Sequence, residues 1–88
     1  MVGWIASHQG ALHRLILSLL PDDRMLASDV LQETNLVLWR KAKEYDPARP
    51  FLAWAFGIAR NQVMAARRDA QRDRHVFSDR LVELLGEE

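Results

Sequence analysis

Apolar positions recur along this chain at steps of three and four, and no stretch alternates apolar and polar residues with the two-residue period of a strand. Trp4, Ile5, Leu12, Leu15, Ile16, Leu19 and Leu20 keep helical spacing and predict a first helix over about residues 2–20, weakened but not stopped by Gly10. Pro21 cannot continue the hydrogen-bond ladder, and Asp22 and Asp23 suit the positive end of a following helix. So short a connection makes the two helices antiparallel neighbours. A second helix is predicted from about Met25 to Tyr45, with Ala27, Leu31, Leu38, Ala42 and Tyr45 on one core-facing stripe at about 100° per residue. Two prolines in Asp46-Pro47-Ala48-Arg49-Pro50 forbid continuation and hold a stiff loop, which loses little entropy on binding.

A third helix is predicted from Phe51 to the low seventies, with Phe51, Ala55, Ile58, Ala59 and Ala66 inward and Leu52, Phe56 and Val63 beside them. After Arg74, Ser78 can serve as an N-cap, and Phe77 and Val82 stand where a hydrophobic staple would form. The expected fold is therefore all-α: a three-helix bundle with a short fourth C-terminal helix.

Two helix faces are left without a core to explain them. Asp29, Gln32, Leu36, Arg40 and Lys43 lie opposite the stripe of the second helix, flanked by Glu33 and Trp39. A solvated helix back is polar throughout, so the Leu and the Trp are either isolated exposed residues, which are common, or the anchors of a docking patch with a polar rim. On the third helix Trp54, Gly57, Asn61, Met64 and Arg68 follow one another at steps of three and four, with Arg60 and Arg67 extending the outer side. An aromatic, an amide and several arginines on one edge suit a nucleic-acid surface, although solvated helices also carry Arg and Asn.

Eighty-eight residues that are 49% hydrophobic make one domain able to bury a core. The absence of cysteine excludes a disulfide scaffold and cysteine-based zinc sites, and fits a reducing cytoplasm. No apolar run approaches a membrane span, and the N-terminus lacks the pattern of a signal peptide. Net charge is zero, yet it is unevenly spread. Residues 49–75 carry six Arg against Asp69 and Asp73, whereas residues 76–88 carry Arg80 against four acids. The basic block is either a solvated helix end or the place for an anionic partner. His8, His13 and His75 lack metal-ligand spacing, the glycines form no phosphate loop, and no nucleophile has a base beside it. No enzymatic site, metal or cofactor is expected.

Three stretches in register carry a family resemblance: Asp29-Val-Leu-Gln-Glu-Thr with Trp39 after it, Tyr45-Asp-Pro-Ala-Arg-Pro, and Phe51-Leu-Ala-Trp-Ala-Phe-Gly-Ile-Ala-Arg-Asn61. From about Leu12 to Arg74 the chain resembles region 2 of the sigma-70 family, in particular the extracytoplasmic-function (ECF) type of bacterial RNA polymerase sigma factor. The resemblance implies that the second helix docks on the clamp helices of the polymerase β′ subunit through Asp29, Gln32, Glu33, Leu36, Trp39 and Arg40. It implies that the loop and third helix read the −10 promoter element and capture an unstacked base of the non-template strand. Tyr45, Arg49 and Asn61 are then the reading positions, Trp54 walls the pocket, and Arg60, Arg67, Arg68 and Arg72 hold phosphates. Tyr45 has a second reading, as the last core residue of the second helix.

The chain departs from the family pattern twice. Many relatives have an Asp four residues after the Asn, where this chain has Ala65. The helix-turn-helix used on the −35 element is also absent, so residues 1–75 read as the region 2 domain and 76–88 as a short helix leading toward a linker and a missing region 4. Half a factor of this kind is expected to bind DNA poorly alone. The resemblance implies polymerase core, promoter DNA and an anti-sigma factor as partners, with no membrane. The alternative is a protein-only interaction module, a sigma-like decoy or anti-sigma-binding domain, in which the Leu36/Trp39 patch matters and the Arg/Asn61 edge is dispensable.

Overall fold

The computed structural model describes residues 2–86, though not the side chains of Val2, His75 and Phe77. Four α-helices follow in order: α1 (Val2–Ser7), α2 (Gln9–Leu19), α3 (Arg24–Arg40) and α4 (Phe51–Gly86), with a 3-10 turn at Ala42–Glu44. There is no strand among the described residues. The all-α class stands, and the breaks between helices fall partly elsewhere than the apolar periodicity predicts.

Three stripes meet in the core: Leu12, Ile16 and Leu20 from α2, Ala27, Val30, Thr34 and Leu38 from α3, and Phe51, Ala55, Ala59 and Val63 from α4. The four-residue steps of α4 form a single ridge. Its two alanines, fully buried, let the neighbouring helices come close. On α3 the inward face is turned toward Val30 and Thr34, leaving the expected Leu31 only half-buried, as is Ala42 in the 3-10 turn that follows. Thr34 reads as polar yet is fully buried, because its hydroxyl donates to the Val30 carbonyl at 2.7 Å and leaves a methyl for the core.

The first helix is broken rather than continuous over residues 2–20. The break lies at His8 and not at Gly10. Three groups converge on the Trp4 carbonyl: the His8 backbone N–H at 3.2 Å, the Ser7 hydroxyl at 3.1 Å and the His8 Nδ1 at 2.7 Å. Side chains that bond back to the preceding turn compete with the helical ladder and bend it there.

Pro21 and the Asp pair behave as expected: Asp23 caps α3 by accepting from the Leu26 N–H at 2.9 Å. The second long helix stops at Arg40 rather than Tyr45, and the tighter 3-10 turn swings Tyr45 inward. The separate fourth helix is not found. α4 runs unbroken for 36 residues, through Ser78 to Gly86. No Gly or Pro lies between Val63 and Ser78 to stop it, and a Ser that could cap costs little inside a helix. The pairing of Phe77 with Val82 lies outside the described side chains. The last third of α4 projects beyond the bundle, which gives the molecule a 63 Å long axis.

Candidate docking and nucleic-acid surfaces

The outward arc of α3 is built by the same periodicity that builds its core. With Ala27, Val30, Thr34 and Leu38 inward, Asp29, Gln32, Glu33, Leu36, Trp39 and Arg40 all face solvent. Leu36 is 52% and Trp39 58% exposed, large apolar areas at the centre of a polar helix face. Five of these six residues divide between two hollows, and Arg40 lines neither. Gln32, Leu36 and Trp39 line an open, mainly apolar groove of about 430 Å³ with Ile5 of α1 and Asn35. Asp29 and Glu33 border a second groove of about 390 Å³ against α4, where Asp69 and Asp73 add two more carboxylates.

The first groove has a wall that helix-face reasoning on α3 misses. α1 is held beside α3 because the side-chain amides of Gln9 and Asn35 exchange hydrogen bonds of 2.7 and 2.8 Å, and Gln9 also donates to the Ile5 carbonyl at 3.0 Å. Both residues read as ordinary polar surface in sequence. The only available signal was an amide on each of two adjacent helices.

The loop after α3 is held at three points. Asp46 accepts at its side chain from the Ala48 N–H and at its carbonyl from the Arg49 N–H, both at 2.9 Å. Pro47 sits where such a turn favours proline. The Tyr45 hydroxyl donates to the Arg49 carbonyl, closing the loop from below. Tyr45 is buried in the core, although it follows the 3-10 turn and does not end the second helix, whose last residue is Arg40. Tyr45 is 8% exposed and its ring meets Trp4, Phe51 and Trp54 with centroids 5.6, 5.7 and 4.9 Å apart. Ring packing and the hydroxyl's bond to Arg49 together hold the loop in shape. Trp4 is half-exposed at the edge of this aromatic cluster, and His8 packs on Phe51 at 4.9 Å.

On the outer side of α4, Trp54, Gly57, Arg60, Asn61 and Met64 line a shallow, open depression of about 530 Å³. A methyl added at Gly57 would meet no atom within 4 Å, so the glycine leaves the floor open. Asn61 is exposed there with Trp54 two helical turns before it, roughly 10 Å along the axis. Arg49 is exposed on the loop and does not line this depression. Arg68 and Arg72 border a separate small hollow further along the same face.

Arg67 stands apart from them. Its guanidinium donates to the carbonyl of Leu19 at the C-terminal end of α2, where helices leave carbonyls without partners. Arg67, expected to hold phosphate, is thus engaged with the end of α2 while remaining exposed. Arg72 is ion-paired with Asp69 at 2.7 Å on the surface, which offsets part of its charge. Among the described residues no group of three or more His, Asp or Glu is placed to hold a metal ion, and no helix is long and apolar enough to cross a membrane.

The sequence matches the family model for sigma-70 region 2 over residues 4–73. It is 42% identical over 65 residues to the ECF RNA polymerase sigma factor SigL of Mycobacterium tuberculosis, an alignment covering 73% of this chain and 36% of that one. Over 48 residues it is 42% identical to the RNA polymerase sigma factor CnrH of Cupriavidus metallidurans, covering 54% of this chain and 23% of CnrH. The chain thus corresponds to about a third or less of the length of these relatives. No solved structure matches it at comparable stringency.

Proposed function

The chain belongs to the sigma-70 region 2 family, with ECF sigma factors as relatives, and on that premise we propose that it is the polymerase-docking and −10-reading domain of a transcription initiation factor. The observation that carries this reading is the segregation of surfaces on two packed helices. α3 offers exposed Leu36 and Trp39 within a polar rim, and α4 offers exposed Asn61 and Arg68 with the half-buried Trp54 two turns before Asn61. An apolar anchor ringed by polar groups is what a protein interface uses, and an amide beside an aromatic and arginines is what a single-stranded base and its phosphates use.

Docking uses Asp29, Gln32, Glu33, Leu36, Trp39 and Arg40 against the β′ clamp helices. Reading uses the depression around Asn61, with Arg49, Arg60, Arg68 and Arg72 as phosphate contacts and Tyr45 holding the loop in shape. An extruded base costs a few kcal/mol of lost stacking, and hydrogen bonds to its edge plus stacking on Trp54 offset that cost. Polymerase works in the cytoplasm, where this domain would act, and an anti-sigma factor would compete for the same faces. Nothing in this role requires catalysis by the chain itself. The test is co-purification of the 88-residue chain with polymerase core and with an isolated β′ clamp-helix fragment; retention on both is expected, and retention on neither would defeat the docking half of the proposal.

A further inference from the structure

Gln32, Asn35, Leu36 and Trp39 follow one another at steps of three, one and three, which sets them on a single stripe of α3. A stripe on one helix is a ridge: it can press on a partner but cannot enclose a side chain. Enclosure is what a strong anchor needs, because the contacts around it must keep water out. The second wall comes from α1, whose Ile5 lines the groove of about 430 Å³ together with the stripe. The place of α1 beside α3 is not dictated by its own packing alone. It is six residues long, the break at His8 separates it from α2, and among the described residues the buried core begins at Leu12. Trp4 tethers α1 to the aromatic cluster, and Ile5 is half-buried against the core. Gln9 does the rest. Its amide nitrogen donates to the Ile5 carbonyl at 3.0 Å and to Asn35 Oδ1 at 2.7 Å, while its oxygen accepts from Asn35 Nδ2 at 2.8 Å. One amide, using both its hydrogens, thus fastens the Ile5 backbone to the middle of the stripe.

Resting on the docking role given above to Leu36 and Trp39, we propose that Ile5 is a further contact residue for polymerase. One apolar side chain of the β′ clamp helices is gripped between Ile5 and Leu36, and Gln9 is a positioning residue that acts through Ile5. The occupant follows from continuity and from charge. Three of the five lining residues, Gln32, Leu36 and Trp39, already belong to the proposed docking face, so whatever covers that face also covers Ile5. None of the five carries a charge, whereas Asp29, Glu33, Asp69 and Asp73 all border the neighbouring hollow. A charged side chain entering the groove would give up its hydration without gaining a partner, so the groove selects an aliphatic or aromatic one. Holding α1 in place beforehand removes the entropy cost of ordering that wall when the partner arrives.

The test is the affinity of the 88-residue chain for polymerase core, with urea unfolding of each variant to show that it is folded under the binding conditions. Ile5→Ala and Leu36→Ala should each weaken binding by roughly tenfold, the effect of truncating one anchor contact. The double variant should lose less than the product of the two, because both changes release the same partner side chain. Gln9→Leu should weaken binding by roughly threefold in the unaltered chain, as the wall is in place for a smaller fraction of the time, and by nothing further once Ile5 is Ala. A benzophenone side chain in place of Ile5 should crosslink to β′ on illumination, and one in place of Ser18 should not; this decides the contact even where Ile5→Ala fails to fold. Indifference to Leu36→Ala would defeat the docking reading and this inference with it. A loss from Leu36→Ala with none from Ile5→Ala, or no crosslink from position 5, would overturn Ile5 as a contact and leave the docking reading standing. Losses that multiply would overturn the shared side chain, and a Gln9→Leu loss that persists in the Ile5→Ala chain would overturn the positioning role.

Discussion

The side-chain amides of Gln9 and Asn35, 26 residues apart, face each other and exchange two hydrogen bonds of 2.7 and 2.8 Å. This clasp ties the start of α2 to the middle of α3, one turn before Trp39. It sets Ile5 of α1 beside Leu36 and Trp39, so the proposed docking groove depends on it.

Asn35→Leu should accordingly cost about 1–3 kcal/mol in urea unfolding, because it leaves a partly buried Gln9 amide without its partner. Replacing both residues by Leu should cost less than the single change, since neither amide is then stranded. Equal or additive losses for the pair would mean that the clasp is incidental.

Leu36→Asp or Trp39→Ala should abolish capture of polymerase core while leaving helical circular dichroism and the unfolding midpoint nearly unchanged. Both side chains are more than half exposed and neither belongs to the core. Loss of the fold together with binding would show that these residues support the bundle.

Arg67 and Arg68 are adjacent in sequence and predicted to differ in effect. Arg67→Ala removes the donor to the Leu19 carbonyl and should lower stability by about 1 kcal/mol. Arg68→Ala should leave stability alone and, in a holoenzyme carrying this domain, reduce the slope of log affinity against log salt by roughly 0.7–0.9. The paired measurements are denaturant unfolding and a salt titration of promoter binding; an unchanged slope for Arg68→Ala would make that residue merely solvated.

Gly57→Ala should stabilise the isolated domain by up to about 1 kcal/mol, because a helix interior disfavours glycine and the added methyl has open space. The same methyl rises from the floor of the Asn61 depression. Promoter opening should fall while polymerase binding stays constant. Opening at the unaltered rate would place base capture elsewhere.

Much of this arrangement is legible in the sequence because it rests on periodicity. The four-residue steps Leu12–Ile16–Leu20 and Phe51–Ala55–Ala59–Val63 mark core seams directly, and the outward placement of Leu36, Trp39 and Asn61 follows from them. What periodicity misses are polar residues with a partner inside the chain. Thr34 hides its hydroxyl on its own helix, Gln9 finds Asn35, and Arg67 reaches back 48 residues to Leu19. The break at His8 escapes for the same reason, since it comes from side chains bonding to the Trp4 carbonyl rather than from Gly or Pro. At the other end Ser78 resembles a cap, but a capping residue stops no helix whose neighbours all tolerate helical geometry.

Asn61 bears the central claim, that α4 reads one unstacked base of the −10 element. An Asn amide offers donors and an acceptor to a base edge, so losing it should cost about 1–3 kcal/mol of discrimination at a single position, whereas a lost phosphate contact weakens every sequence alike. The decisive measurement is open-complex formation by polymerase carrying a full-length factor that contains this domain, on promoters varied in turn at each −10 position. Asn61→Ala is predicted to flatten the preference at one position and spare the others. An equal loss on all promoters would contradict the account and make Asn61 a phosphate-binding or structural residue.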